Sequence, residues 1–359
     1  MKARSLRLIH IRNFEDFSCI PDDALTILSG QNGTGKTNIL EALSFVSQGR
    51  SFRAGTDDDL IRLGDDQGTI LLTFETRGVV HTLKTKIFRN RGKELFFNEN
   101  PVLRRDLPGL FRTVLFTPDE LLLIKGAPTL RRRFLDNGLS QISPRYYEEL
   151  NKYNRAVQQR NAELRDAFYT GREPLIDMWD MQLSMSGAYI VRKRAEAVEA
   201  LNQIVSEKES VLTGEKETLR LTYVQRGAKE ICCNEDWFIK KLVEARDTDC
   251  RLFHTSVGPH RDDLVFYMND MDISLYGSQG QQRTAILSLK LSEIDYIKQE
   301  TSEYPVLLLD DVGSELDQER QEALLLYLRK KQIQTIVTTA VDMPNTKGKI
   351  IHMRDIHKK

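Results

Sequence analysis

The chain has 359 residues, of which 40% are hydrophobic, so it is long enough for two or three domains and a buried core, and a folded protein is expected. Lys+Arg and Asp+Glu both number 52, giving a formal net charge of +0, so no global charge favours nucleic acid and an anionic partner must meet a local patch. The start, MKARSLRLIH, lacks the apolar core of a signal peptide, and no apolar run approaches the roughly 20 residues that span a bilayer. These features favour a cytoplasmic protein.

The first part of the chain predicts a mixture of strands and one helix. Residues 4–11 alternate like a half-buried strand, and 24–30 form a short apolar run that leads into a glycine-rich loop. Apolar residues then recur at helical spacing from Lys36 to about Gln48. The segments TILLTFET, VVHTLKTKIF and ELFFN are separated by turn residues and predict antiparallel strands. Residues 1–117 are therefore expected to be mixed α/β.

Residues 118–251 have a helical character. Two long helices, over 144–169 and from 176 to 204, are predicted to pack antiparallel across the short break TGREP. The seam predicted for the first helix lists Tyr147, Leu150, Asn154, Val157, Asn161, Leu164 and Phe168.

Residues 252–359 return to an α/β pattern. Strands are predicted at LVFYM, DISLY, VLLLDD and QTIVTT, with helices starting at Gly280 and running near 317–330. The whole arrangement predicts one α/β nucleotide-binding domain, 1–117 and 252–359, split by a helical lobe, 118–251.

The loop GQNGTGKT fits the pattern GxxxxGKT and lies between a predicted strand and a predicted helix. Its glycines let successive backbone N–H groups point at phosphate oxygens, and the helix N-terminus adds a favourable dipole. Lys36 would neutralise the β- and γ-phosphates, and Thr37 would place its hydroxyl on Mg²⁺. The expected ATP-binding residues are Gly30, Gln31, Asn32, Gly33, Thr34, Gly35, Lys36, Thr37 and Asn38.

Two carboxylates follow the apolar run PVLLL, where a central parallel strand would leave its sheet. A cation that bridges phosphates needs a ligand from such a position. We assign Asp310 to Mg²⁺ and expect Asp311 to polarise the attacking water, which makes Lys36 and Asp311 the expected catalytic residues.

A third element, GSQGQ, opens the helix predicted from Gly280. Taken alone, Ser278, Gln279, Gly280 and Gln281 would form a capped turn. About 30 residues before a VLLLDD strand, they resemble the LSGGQ signature of ABC-type ATPases. That resemblance implies a signature that caps the γ-phosphate bound to the other subunit, and hence an ATP-dependent dimer.

Three further segments, FTPDELLLIKGAPTLRRRFLD, SVGPHRDDL and YGSQGQQRT, together with LDDVGSELD, closely resemble the RecF family of bacterial recombination mediators over essentially the whole chain. The resemblance implies an SMC-like, ABC-type ATPase head with a short helical hairpin in place of a long coiled coil. It implies a weak, DNA-stimulated ATPase that dimerises with ATP on double-stranded and gapped DNA. It also implies action with RecR and RecO to help RecA replace single-strand-binding protein. Ser314 and Asp317 match the D-loop that faces the partner subunit.

Some positions depart from the family pattern. Asp311 stands where wider ABC ATPases have Glu, and this shorter carboxylate predicts slow turnover. The segment IVTTAV, 336–341, lacks a histidine switch. Gly277 and Gln279 replace the Leu and first Gly of the signature, and Glu15 replaces an expected Arg, for which Arg12 could compensate.

Two other functions stay open: a nucleotide-gated protein scaffold with negligible hydrolysis, and a small-molecule kinase that uses the same phosphate loop. A kinase needs neither the signature nor the D-loop. A membrane transporter ATPase is disfavoured, since the helical insertion is large and polar.

Other polar clusters carry weaker signals. The basic clusters Arg104–Arg105, Arg131–Arg133 and Arg192–Arg194 could bind phosphate or be solvated helix faces. His260, Arg261 and Asp262 favour a structural role over catalysis. The cysteines Cys19, Cys232, Cys233 and Cys250 lack zinc-site spacing and predict reduced thiols.

Overall fold

A computed structural model describes residues 1–213, 217–311, 318–339 and 348–353. The chain forms two compact units, and each is described by itself. The sheet unit comprises residues 1–120 and 286–359, and the helical unit comprises residues 121–285. The sequence grouped residues 252–285 with the nucleotide-binding part, whereas the structure groups them with the helical unit. The physical reason is strand pairing: Asp263–Met268 hydrogen-bonds along Leu219–Val224 of the same unit.

The sheet unit contains a six-stranded antiparallel sheet. Its order is β2-β1-β4-β5-β6-β7. The strands alternate buried and accessible residues, so one face belongs to the core and the other does not. The strands are β1 (Lys2–Ile11), β2 (Phe14–Cys19), β4 (Gln67–Thr76), β5 (Val79–Phe88), β6 (Gly92–Phe97) and β7 (Asn100–Val102).

The second sheet of this unit is parallel and has the order β14-β3-β13-β12-β8. Its three inner strands, LTILS, TIVTT and VLLL, are buried along their whole length, as expected for strands covered on both faces. The strands are β3 (Leu25–Ser29), β8 (Thr113–Phe116), β12 (Val306–Leu309), β13 (Thr335–Thr339) and β14 (Lys349–His352).

Helix α1 (Lys36–Gln48) contacts strands of both sheets and is buried at most of its positions. Its apolar residues join a core that includes Leu8, Leu28, Phe45 and Phe74. The unit also contains α9 (Gln318–Lys331) and, from residue 286 onward, α8 (Gln279–Thr301). The core therefore fixes the positions of β3 and α1, which are joined by the loop of residues 30–35.

The helical unit has six helices among its described residues, apart from the first residues of α8. They are α2 (Leu122–Lys125), α3 (Pro128–Ile142), α4 (Pro144–Thr170), α5 (Asp177–Thr213), α6 (Glu235–Leu252) and α7 (Ile273–Tyr276). It also has a small sheet, β11-β10-β9, with β9 (Leu219–Val224), β10 (Asp263–Met268) and β11 (Met271–Asp272).

The segment predicted to have a helical character, 118–251, also contains one strand, because LRLTYV forms β9 against β10. One strand prediction for this unit is wrong. DISLY is not a strand: Asp272 caps α7 by accepting a hydrogen bond from the N–H of Ser274, so the chain turns into a helix after only two strand residues.

The helix pair α4 and α5 forms as predicted, but the buried face of α4 differs from the predicted seam. Asn154 and Phe168 are exposed, and the buried positions are Tyr146, Tyr153, Ala156, Arg160, Leu164 and Ala167. An arginine therefore occupies the centre of this interface. Although α5 spans 37 residues, no helix in the described part of the chain combines the length and apolar composition needed to cross a membrane.

Candidate nucleotide-binding site

The glycine-rich loop connects β3 to α1 and has the backbone that its sequence predicts. Gly33 and Gly35 have φ angles of 86° and 95°, which residues with side chains rarely adopt. Gly35 is the N-cap of α1 and lies against Asn13 and Phe14, so a Cβ there would come within 2.7 Å of both side chains. The loop therefore presents the amino end of a 13-residue helix without a side-chain cap.

Lys36 lies inside this loop rather than in solvent. Its ammonium donates to the carbonyl oxygens of Gly30 at 2.6 Å and Gln31 at 2.8 Å. Burial lowers the pKa of Lys36 below its ordinary value, and the negative charges of Asp311 and Asp310 oppose that shift. The lysine is thus placed where an anion would meet both its charge and the backbone of the loop.

The two predicted metal ligands are in contact. The Thr37 hydroxyl donates to Oδ1 of Asp310 at 2.9 Å, and Asp310 is only 8% exposed. β3, which leads into the loop, and β12, which ends before Asp310, are separated in the sheet by β13 alone. The carboxyl ends of these parallel strands bring the loop and the carboxylates together.

The structure adds a residue that the sequence did not single out. Thr338, near the end of β13, donates its hydroxyl to Oδ1 of Asp310 at 2.8 Å and accepts the N–H of Asp311 at 2.9 Å. Asp311 has a φ of 48°, in the left-handed region. The only sequence signal for Thr338 is its place in IVTTAV, where a histidine was sought instead.

A cavity of about 700 Å³ adjoins the loop in the sheet unit, and its volume is within the range of small-molecule sites. Asn13, Asn38 and Arg53 line it, with Arg12 beside them. Arg12 forms a bidentate ion pair with the fully buried Glu41, at 2.7 and 2.9 Å. The replacement of the expected Arg by Glu15 therefore leaves Arg12 beside the loop, but with its charge already paired.

The amide Nδ2 of Asn13 is buried and has no hydrogen-bond partner among the described residues. Its Oδ1 accepts from Nδ2 of Asn38 at 2.9 Å. A buried donor without a partner is costly, so its place beside Gly35 fits a site completed by an acceptor group.

The signature residues lie at the start of α8, within the helical unit. Ser278 and Gln281 form a capping box: the Gln281 N–H donates to Ser278 Oγ at 3.2 Å, and the Ser278 N–H donates to Gln281 Oε1 at 2.9 Å. Gln281 also donates from Nε2 to Glu217. Ser278 and Gln279 are exposed, and Gly280 has no neighbour closer than 3.9 Å to a Cβ placed on it. The capped turn that these residues predict when taken alone is present in the structure.

Other predicted positions have different outcomes. Ser314 and Asp317 lie outside the described residues. Arg131 is buried and paired with Asp263, and Arg194 is buried and paired with Asp136, so neither presents a free charge to phosphate.

The HRD segment makes internal contacts. His260 Nδ1 accepts from the Tyr153 hydroxyl at 2.6 Å. Asp262 accepts from the Tyr223 hydroxyl at 2.5 Å and from the N–H of Arg226. These hydrogen bonds support the structural role that the sequence favoured.

Comparisons with known proteins agree with this geometry. Residues 3–355 match the family model described as RecF/RecN/SMC N terminal domain. The chain is 40% identical to the DNA replication and repair protein RecF of Agathobacter rectalis, over 94% of this chain and 92% of that protein. It is 36% identical to RecF of Clostridium perfringens, with the same coverage.

Solved structures give the same result. The chain is similar to the recombination mediator protein RecF with ATP in the RecFOR pathway, with a TM-score of 0.91 and 30% identity over 99% of this chain and 96% of that one. An Smc head domain from Pyrococcus furiosus, at 18% identity and a TM-score of 0.59, shares the fold over 99% of this chain and 95% of that one. The chain belongs to the RecF family of DNA replication and repair proteins, within the RecF/RecN/SMC group of ATPases.

Proposed function

We propose that this protein is an ATP-switched DNA-binding dimer of recombinational repair, in which nucleotide joins two copies on double-stranded or gapped DNA and slow hydrolysis releases them. The observation that carries the proposal is the contact of Thr37 with Asp310 beside the loop lysine. Through this contact the phosphate-binding loop lies next to a carboxylate that can hold a cation.

In this proposal the loop from Gly30 to Asn38 binds the triphosphate through its backbone N–H groups and the amino end of α1. Lys36 exchanges its contacts with the Gly30 and Gln31 carbonyls for phosphate oxygens. Asp311 orients the water that attacks the γ-phosphate. The base and ribose lie in the adjoining cavity, beside Asn13 and Asn38.

The residues present fit Mg²⁺. A threonine hydroxyl and a carboxylate are oxygen ligands of the kind this ion prefers, and Mg²⁺ commonly keeps phosphate oxygens and waters as its other ligands. The described residues contain no cluster of three or more His, Cys, Asp or Glu side chains that could hold a metal by themselves, which is consistent with a site completed by phosphate. When bound, Mg²⁺ would neutralise charge on the β- and γ-phosphates.

The dimer is supported by the signature helix. Ser278 and Gln279 are exposed at the amino end of α8, a 23-residue helix, where backbone N–H groups and the helix dipole favour an anion. We propose that Ser278, Gln279, Gly280 and Gln281 cap the γ-phosphate of a partner subunit, with Ser314 and Asp317 facing that subunit.

The proposed partners follow from the relatives. Solved RecF structures with ATP and with ATPrS are assigned to the RecFOR pathway. We propose that this protein acts there with RecR and RecO to help load RecA on single-stranded gaps, and that DNA stimulates its weak ATPase activity.

A scaffold with negligible hydrolysis is the second candidate, because Asp311 is one methylene shorter than the glutamate of wider ABC ATPases and has its backbone N–H tied to Thr338. A Lys36→Arg variant tests it by separating nucleotide binding from hydrolysis. Equal DNA release by this variant and wild type in ATP would favour the scaffold. No described feature favours a small-molecule kinase over these two.

The deciding experiment measures the molar mass of the protein with Mg²⁺ and either no nucleotide, ADP or ATP, each with and without a gapped duplex. A doubling of mass with ATP, enhanced by DNA, is expected. A monomer under all conditions would overturn the dimer. DNA affinity should fall as salt rises, since phosphate contacts release counterions.

A further inference from the structure

Thr338 occupies a position that neither the loop nor the carboxylate motif includes. It lies on β13, the strand between β3 and β12, and pairs with Leu28 of β3. It is 1% exposed. A hydroxyl buried to this degree must have its hydrogen bonds satisfied by protein groups, and its two partners are both carboxylate residues of the candidate site.

The direction of each of the two hydrogen bonds of this hydroxyl follows from the chemistry of its partner. A threonine hydroxyl has one proton to donate and two lone pairs to accept. The proton goes to Oδ1 of Asp310 at 2.8 Å, and a lone pair accepts the N–H of Asp311 at 2.9 Å. One side chain therefore fixes the carboxylate of the first aspartate and the backbone of the second.

Both contacts constrain groups that would otherwise be free to move. Asp310 Oδ1 also accepts the Thr37 hydroxyl at 2.9 Å, so two threonines hold the same oxygen, one from the first turn of α1 and the other from β13. Asp311 has a φ of 48°, a backbone conformation that is strained for a residue with a side chain. A hydrogen bond to its N–H offsets part of that strain.

We propose that Thr338 is a positioning residue that sets the orientation of Asp310 toward Mg²⁺ and of Asp311 toward the attacking water. This inference rests on the proposed ATPase function. Thr338 does not touch nucleotide in this role. It acts through the two aspartates, as groups behind metal ligands commonly do. β13, part of the segment that lacks the histidine switch, thus contributes a hydroxyl to the same site.

The test compares Thr338→Val, which keeps the shape and β-branching but removes the hydroxyl, with Thr338→Ser, which keeps the hydroxyl. Thr335→Val is the matched control, since Thr335 lies at the other end of the same strand, is also buried, and donates its hydroxyl to the backbone carbonyl of Ile333 rather than to either aspartate. Thr338→Ala replaces the valine variant if that protein does not fold, as judged by circular dichroism.

The first readout is the binding of a fluorescent ATP analogue across a Mg²⁺ titration and in excess EDTA. Thr338→Val is expected to need roughly 10- to 100-fold more Mg²⁺ for half-maximal binding, with unchanged affinity in EDTA. The second is steady-state ATPase, in which kcat should fall by a similar roughly 10- to 100-fold factor while the KM measured at saturating Mg²⁺ stays near the wild-type value. Thr338→Ser should restore both, and Thr335→Val should change neither.

A folded Thr338→Val protein with wild-type Mg²⁺ requirement and kcat would overturn the inference. So would equal losses in Thr338→Val and Thr335→Val, because they would indicate a general effect of the strand. The dimer proposal is judged separately by the mass of the wild-type protein. The wild-type protein could stay monomeric while the Mg²⁺ requirement still depends on the Thr338 hydroxyl. That result would contradict the dimer proposal and support the positioning role.

Discussion

The hydroxyl of Thr37 lies 2.9 Å from Oδ1 of Asp310, although 273 positions separate these residues along the chain. The contact joins the loop after β3 to the end of β12 across a single intervening strand. It makes the phosphate loop and the carboxylate pair one site, and its parts can be tested one at a time.

The loop glycines differ in what they tolerate. A Cβ added at Gly33 has no atom within 4 Å, so Gly33→Ala should only strain the loop backbone, by about 1 kcal/mol, because of its positive φ. Gly35→Ala adds a collision with Asn13 and Phe14 and should weaken ATP binding at least about tenfold, or about 1.4 kcal/mol. Titration with a fluorescent ATP analogue measures both. Gly64→Ala, with a φ of 93° and open space, is the control, and equal affinities of the Gly33 and Gly35 variants would contradict the argument.

ATP binding should take up protons at alkaline pH. The free-state pKa of Lys36 is lowered by burial, and phosphate charge favours the protonated lysine, so nucleotide raises that pKa. Between the two pKa values, each binding event therefore takes up part of a proton. Calorimetry at several alkaline pH values up to the ordinary lysine pKa of about 10.4, in two buffers of different ionisation enthalpy, measures this uptake, which should decline toward neutral pH. Lys36→Arg remains protonated throughout, so equal uptake by this variant would assign the protons to other groups.

Two substitutions at Ser278 separate helix capping from phosphate binding. Ser278→Ala removes the cap and should destabilise the start of α8 by about 1 kcal/mol. Ser278→Asp keeps a good cap acceptor but places a negative charge where the partner's γ-phosphate is proposed to bind. We expect Ser278→Asp to be as stable as wild type and to abolish the ATP-dependent doubling of mass. A dimer formed normally by Ser278→Asp would exclude Ser278 from the phosphate site.

The buried ion pairs of the helical unit should dominate its stability. Arg160 is 0% exposed and donates to Asp180 at 2.6 Å and Asp249 at 2.7 Å. Arg160→Met removes the ion-pair partner of buried Asp249 and leaves buried Asp180 with Arg246, so it should cost about 3–5 kcal/mol in urea unfolding. Arg172 pairs with Glu163 and Asp166 in solvent, and Arg172→Met should barely move the midpoint. Similar shifts for both variants would mean that burial does not decide the effect.

His260 should make the protein less stable as pH falls from about 6.5 to about 4. Burial lowers its pKa from 6.5 to about 4, so the unfolded chain takes up a proton first and the folded state is penalised across that window, by up to about 3 kcal/mol. Below that range both states are protonated and the penalty is constant. The pKa of neighbouring Asp262 is raised by burial, which acts in the opposite direction, so the His260→Gln difference is the informative quantity. Urea unfolding of both proteins at pH 4.5 and 7 measures it. Parallel losses in the two proteins would assign the acid sensitivity elsewhere.

The sequence predicted the parts of the fold that have a strong local pattern. The loop, α1, β12 and the α4–α5 pair follow directly from a motif, a 3.6-residue period or an apolar run. It failed where tertiary contacts override local pattern. β9 depends on β10, which lies 39 positions later in the closest pairing, Val224 with Asp263. Arg160 was not among the predicted seam positions of α4, and its burial depends on Asp180 and Asp249, which supply its counter-charges from other helices.

The site shows the same division. A consensus loop revealed Lys36 and Thr37, and an apolar run ending in two aspartates revealed Asp310. Thr338 is not part of a recognised sequence motif. Its role depends on β13 lying between β3 and β12, and this strand order cannot be predicted from the spacing of residues along the chain. The pairing of Arg12 with buried Glu41 was hidden for a similar reason, since 29 positions separate the two residues.

The position of β3 has a consequence for synthesis of the chain. Both of its neighbours in the sheet, β13 and β14, come after residue 334, so the strand that leads into the nucleotide loop has no neighbouring strand of this sheet to pair with until those residues have been synthesised. Until then it is an apolar strand with two open edges, a form prone to aggregation. A chain truncated before Thr335 should therefore fail to bind ATP, as a chain with the loop deleted would. Competence to bind ATP should therefore appear only after β13 has been synthesised.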